Sequence, residues 1–183
     1  MHKINENAAV AQLSEMFALS MGFSLKYAQQ IKAAALLHDV GKQSVPSVIL
    51  NKAGKLTPME QTIMKSHTKM GAQMLSGIPG QFGIIARTVA EFHHERADGS
   101  GYWGIPISKL PDYIPIIAVS DIFVACRSAR PYKEPWSLDR SLWHLATLEG
   151  TQFSPGTIRP FMRLIGSIRN MPGVFALSGH IAT

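Results

Sequence analysis

Apolar residues recur three and four positions apart along most of this chain, the repeat of helices that bury one face. From about residue 4 to 21 helix formers carry the apolar positions Ala9, Leu13, Phe17 and Leu19, and the stretch breaks at Met21-Gly22. Ser24 then caps a second helix whose stripe runs through Ile31, Ala34, Ala35 and His38, with Gly41 placed to stop it. After a linker with Pro46 and a turn at Asn51 to Gly54, Thr57-Pro58-Met59-Glu60 opens a third helix. Thr57 is the cap, Pro58 the first helical position and Glu60 the third, which makes a capping box. This helix presents Ile63, His67, Met70 and Met74 on one face.

A break at Ser76 to Gly80 precedes a periodic stretch from about Phe82 to His94, where Ala86, Val89, Ala90 and His93 form the stripe. Glu95 to Pro111 is too rich in Gly and Pro for regular structure and predicts a long ordered loop. Ile114, Ile117, Ala118, Asp121 and Ala125 mark a fifth helix. Ser137 caps a sixth through about Leu148, with Leu138, Leu142 and Leu145 inward. Ser154-Pro155 starts the last one, in which Pro160 predicts a kink or a later true start. Without strand alternation, the pattern predicts an all-α, single-domain bundle of about seven helices over residues 1–169. A tail, 170–183, follows with His180 as its one acidic or basic residue.

Composition narrows the functions. The chain has 183 residues, 46% of them hydrophobic, enough for one well-buried domain. The net charge of +6 suits an anionic partner, but the Lys and Arg residues are scattered rather than massed, which reads as a solubilising surface rather than a nucleic-acid site and is compatible with a small anionic substrate. With no apolar run of 18 residues and no secretion signal at the N-terminus, the expectation is a cytoplasmic protein without membrane contact. The single cysteine, Cys126, sits among apolar neighbours and reads as a packing residue.

The chemistry lies in polar residues on faces that should be apolar. A lone histidine there is ordinarily a satisfied core residue. Here four separate helices each carry one: His38 with Asp39, His67, His93 with His94, and Asp121. Helices pack by burying those faces, so the six side chains should meet in the core, where unpaired they are costly and together they suit metal. An imidazole and carboxylate set fits Fe, Mn, Zn, Co or Ni. Six ligands exceed the need of one ion, and a metal pair commonly attacks phosphate esters.

In order along the chain, His38-Asp39 with Gly41-Lys42, His67, His93-His94-Glu95-Arg96, Asp98-Gly99-Ser100-Gly101-Tyr102 and Asp121 resemble the HD-GYP pattern, from near residue 2 to about residue 164. HD-GYP domains are a bacterial branch of the HD metal-dependent phosphohydrolases that hydrolyse the second messenger cyclic di-GMP to pGpG or GMP. The resemblance implies that His38, Asp39, His67, His93, His94 and Asp121 hold two divalent transition metal ions, Fe or Mn first, with Asp39 and a hydroxide bridging them. It places Lys42 beside the scissile phosphate as a catalytic and substrate-binding group, and Arg130 and Lys133 of Arg130-Pro131-Tyr132-Lys133 on substrate phosphates. It also implies an upstream receiver or sensor domain in a longer chain, and a GGDEF-domain or other signalling partner at the signature loop of Asp98, Gly99, Gly101, Tyr102 and Trp103.

The chain departs from that pattern at several places. Trp103 stands where the family has proline, so the loop loses a fixed φ and gains an aromatic expected to pack the loop or meet a partner. Val124 replaces a common second aspartate, and Phe153-Ser154-Pro155 replaces Phe-Asp-Pro. In the opening helix the family's Glu and His are inverted, which puts His2 and Glu6 on one face as further candidate ligands and makes a third ion conceivable. Two other readings stay open: a catalytically weak module acting as a nucleotide receptor or interaction domain, and an HD hydrolase for a different phosphate ester.

Overall fold

Small residues on the second helix decide how closely its neighbours approach. In the computed structural model, which describes residues 2–129 and 134–169 with side chains from residue 6, helix α1 (His2–Ser20) and helix α2 (Leu25–Leu37) pack as an antiparallel pair. Ala28, Ile31, Ala34 and Ala35 of α2 are fully buried between α1 and α6 (Gly80–Phe92). The turn joining α1 to α2 needs Gly22 at φ +89°, and the Ser24 hydroxyl accepts from the Tyr27 N–H to start α2.

Gly41 does not stop α2. The helix ends at Leu37, and Gly41 lies inside a tight 3-10 turn, Val40–Ser44. A Cβ on it would sit 1.9 Å from the His67 carbonyl oxygen and 2.4 Å from the Gly71 nitrogen, both backbone atoms of α5 (His67–Met74). The glycine is therefore a contact point between two elements, invisible to local sequence rules.

The linker after it holds a single turn, α3 (Ser47–Leu50), and then α4 (Pro58–Lys65), which opens with the expected capping box. The expected third helix is divided into α4 and α5, so more helices form than the seven anticipated. The side chains of Ser66, His67 and Thr68 each bond the carbonyl three residues back, those of Ile63, Met64 and Lys65, and so compete with the helical ladder at that point. The break also turns the face: His67, Thr68 and Gly71 are buried, whereas Met70 and Met74, expected inward, are exposed.

Helix α7 (Tyr113–Arg127) runs through the core against α1, with Val124 buried in the apolar cluster. Helix α8 (Leu138–Thr147) starts at the Ser137 cap, as expected. Helix α9 (Ile158–Arg169) begins after Ser154-Pro155, with Pro160 in its first turn, which is the later start. Phe161 of α9 packs edge-on against Phe17 and Phe123, tying α9 to α1 and α7. Among the described residues there is no strand beyond an isolated Glu149–Phe153 bridge, and no helix is long and apolar enough to cross a membrane. Arg130, Lys133 and the tail 170–183 lie outside the described residues.

Two stability outcomes follow from these contacts. Gly41→Ala should destabilise the fold by roughly 1–3 kcal/mol or more, since backbone must move to admit one methyl; an unchanged urea midpoint would contradict this close approach. At the capping box the Glu60 carboxyl is held at about 2, by its bond with Lys52 first and the Thr57 N–H second. Its contribution is therefore complete above the ordinary carboxyl value of 4.5 and is lost as pH falls toward about 2. Wild type should lose stability over that window more than Glu60→Gln does, as read from thermal unfolding at stepped pH.

Candidate metal centre

Three histidines are aimed by their own helices. The Nδ1 atom of His38 lies 2.6 Å from the Ala35 carbonyl, that of His67 2.7 Å from Met64, and that of His93 3.0 Å from Val89 and 3.1 Å from Ala90. A carbonyl only accepts, so each Nδ1 carries the hydrogen, and in the neutral form of such a ring the lone pair lies on the inward-facing Nε2. This is how second contacts orient metal-binding histidines.

The Nε2 atoms surround one carboxylate. Asp39 Oδ1 is 3.4 Å from His67 Nε2 and 3.7 Å from His93 Nε2; Asp39 Oδ2 is 3.4 Å from His38 Nε2, which is 3.8 Å from Asp121 Oδ1. Asp39, His67, His93 and His94 each bring a ligand atom within 4.8 Å of the others. Asp39 Oδ1, His67 Nε2 and His93 Nε2 are buried and have no hydrogen-bond partner. Such atoms are costly in a core. Ligand atoms about 2.1 Å from a common ion stand roughly 3 Å or a little more apart, which these spacings approach. The residues fit a divalent metal on this ground.

Electrostatics separate the histidines. Burial pushes the His67 imidazole down to about 4, and burial followed by the charge of His93 holds His94 well below the ordinary range, so both rings are neutral near pH 7, the ligand form. For His38 burial acts the same way, but the adjacent Asp39 and Asp121 carboxylates outweigh it and raise the value. The Asp39 carboxyl, despite burial, is held far below the carboxylate range by His38, His93 and Lys42.

Lys42 reaches the centre, with Nζ 2.5 Å from Asp39 Oδ2, so the structure pairs it with the central carboxylate. The signature loop closes another side. Tyr102 lies with its ring 4.5 Å from that of His94 and 6.2 Å from that of His67. Asp98 accepts from the Ser100 N–H and hydroxyl, Gly99 takes φ +73°, and the loop is pinned by the Ala97 and Asp98 N–H groups to the Gln152 and Thr151 carbonyls. The Trp103 indole lies against α5, bonded to Thr68 and beneath Lys69.

Glu95 was missed as an organiser of this loop. It is fully buried, and its two oxygens each accept at 2.7 Å, from the Trp103 and Ile105 N–H groups. A Cβ on Gly101 would lie 2.6 Å from the Glu95 Cα, so that glycine is required by contact. Thr68 was also passed over because one hydroxyl after a histidine carries no sequence signal. Of the remaining candidates, Glu6 is half-buried on α1 and stands outside the four-residue group, and the His2 side chain, like Arg130 and Lys133, lies outside the described residues.

A family model described as HD domain matches residues 1–155. The chain therefore belongs to the HD domain family, and its similarity to the HD-GYP branch holds against its relatives. It is 37% identical over 168 residues to the cyclic di-GMP phosphodiesterase response regulator RpfG of Xanthomonas campestris, covering 91% of this chain and 44% of that protein. It is 40% identical over 156 residues to a cyclic di-GMP phosphodiesterase of Thermotoga maritima, covering 85% and 42%. The chain thus spans under half the length of these relatives. Among solved structures, Bd1817, an HDG"Y"P protein from Bdellovibrio bacteriovorus, superposes with a TM-score of 0.67 at 18% identity, over 88% of this chain and 51% of that one, which bears out the fold.

His38→Ala and Asp121→Ala should each bind less divalent metal and lose the metal-induced rise in melting temperature expected of wild type, a rise set by ligand concentration over Kd. Wild-type metal content and an unchanged metal-dependent melting shift in both variants would remove these residues from the centre.

Proposed function

We propose that this domain is a metal-dependent phosphodiesterase acting on a cyclic dinucleotide, cyclic di-GMP first, with pGpG or GMP as product. The observation that carries the reading is Asp39, whose two oxygens face different groups: Oδ1 toward His67 and His93, Oδ2 toward His38 and Lys42. That division would suit two ions, for which His67, His93 and His94 on one side and His38 and Asp121 on the other would be the ligands beside Asp39. Iron or manganese suits this nitrogen and oxygen set, and Zn, Ni or Co also accept it. When bound, such ions activate water near neutral pH and offset phosphate charge.

The chain's own side chains supply the rest. His67 and His94, neutral near pH 7, offer lone pairs without first releasing a proton. Lys42 brings a positive charge, paired with Asp39 Oδ2, to the edge of the cluster, suited to a phosphate oxygen. Arg130 and Lys133 add a planar fork and a point charge for the substrate's phosphates. Glu6 and His2 remain candidates for a third ion.

The test is anaerobic purification, metal analysis and hydrolysis on the same sample, with cyclic di-GMP and a cyclic dinucleotide carrying adenine in place of one guanine. About two ions per chain and turnover of cyclic di-GMP are expected. In the same preparation Arg130→Ala with Lys133→Ala should weaken nucleotide binding roughly ten- to a hundredfold while keeping the metal. Full metal content without hydrolysis of either nucleotide would sink the cyclic-dinucleotide phosphodiesterase reading and leave a receptor domain or a hydrolase for another phosphate ester, which a panel of phosphate esters separates.

A further inference from the structure

Trp103 donates to two buried acceptors, one at the start of its own loop and one on α5. Its backbone N–H goes to Glu95 Oε1 at 2.7 Å, and its indole Nε1–H goes to Thr68 Oγ1 at 3.1 Å. Thr68 is fully buried and gives its own hydroxyl hydrogen to the Lys65 carbonyl at 3.0 Å, so a lone pair is what it offers the indole. Lys69 Nζ stands 3.8 Å from the centre of the Trp103 ring. One edge of the indole is thus bonded into α5 while one face lies under a cation, an attraction beyond simple packing. A proline at this position would supply neither donor.

The residues at the two ends of this tie neighbour the cluster in sequence: Thr68 follows His67, and Glu95 follows His94. Tyr102, immediately before Trp103, is the residue whose ring lies against His94. We infer that Trp103 is a positioning residue, which latches the signature loop onto α5 through Thr68 and onto Glu95, and thereby fixes Tyr102 as a wall beside the histidine cluster. The latch stands on geometry alone; its consequence for substrate rests on the proposed phosphodiesterase reading.

The test is amide hydrogen exchange, read by mass spectrometry over residues 96–107 of the full chain, for wild type, Trp103→Phe, Thr68→Val and the double variant. Trp103→Phe keeps an aromatic ring and the backbone N–H and removes the indole donor; Thr68→Val keeps the side-chain shape and removes the hydroxyl, both the acceptor for the indole and the donor to Lys65. Each should speed exchange at residues 102–105 by about fivefold, the factor for one neutral hydrogen bond, and the double variant should be no faster than either single. Unchanged exchange in Trp103→Phe, or single effects that multiply in the double variant, would overturn the latch. Should Thr68→Val not fold, Thr68→Ser, which retains the acceptor, is expected to match wild type, and fast exchange there would equally count against the tie. Where cyclic di-GMP is turned over, Trp103→Phe should raise KM several-fold and lower kcat less. Exchange needs no substrate, so a failure of hydrolysis and a failure of the latch are read separately.

Discussion

A carboxylate enclosed by imidazoles is the constraint from which the rest of this structure follows. Asp39 is largely buried among the imidazoles of His38, His67 and His93, at a depth where an isolated charge would be expelled or neutralised. It stays ionised because His38, His93 and Lys42 face it, and the energetic demand it makes can be met only if the ends of α2, α5 and α6 arrive at one point. Each arriving histidine spends its Nδ1 hydrogen on its own helix. That leaves three buried nitrogens and oxygens without internal partners, an arrangement a core tolerates where an external cation completes it.

Backbone contact does the bringing together. Gly41 touches α5 at the His67 carbonyl, so the turn carrying Asp39 and Lys42 and the helix start carrying His67 are separated by less than the thickness of a methyl group. Any side chain at Gly41 would push them apart and spread the cluster. The break at Ser66 separates α4 from α5, which begins with His67 and buries His67, Thr68 and Gly71. Packing at α2 is equally dependent on small residues, since three alanines let α1 and α6 close on either side.

What the sequence disclosed was set by chemistry that is local. Polar residues on apolar stripes at His38, His67, His93 and Asp121 could be seen because helical period alone predicts which way they point. The capping box at Thr57 and the delayed start around Pro160 were legible for the same reason. Gly41, Gly101 and Glu95 were not, because their roles arise from elements distant in the chain or from backbone N–H groups that have no residue identity. Met70 and Met74 misled because period was extended through Ser66, where three successive side chains bond back onto the helix and reset it.

The signature loop shows how one requirement is met by different means. A proline fixes one φ and lowers the entropy that an ordered loop must lose, but it gives up a donor. Trp103 leaves φ free and replaces that restriction with two hydrogen bonds and a cation above its ring, each worth a fraction of the ordering cost. Because these bonds end on Thr68 and Glu95, the order they impose is referred to α5 and to the end of α6, the same elements that aim His67, His93 and His94. A loop held by its own covalent stiffness keeps its shape wherever it sits. A loop held by bonds to the site's supports keeps its position relative to the site, and for Tyr102 beside His94 position is the quantity that matters.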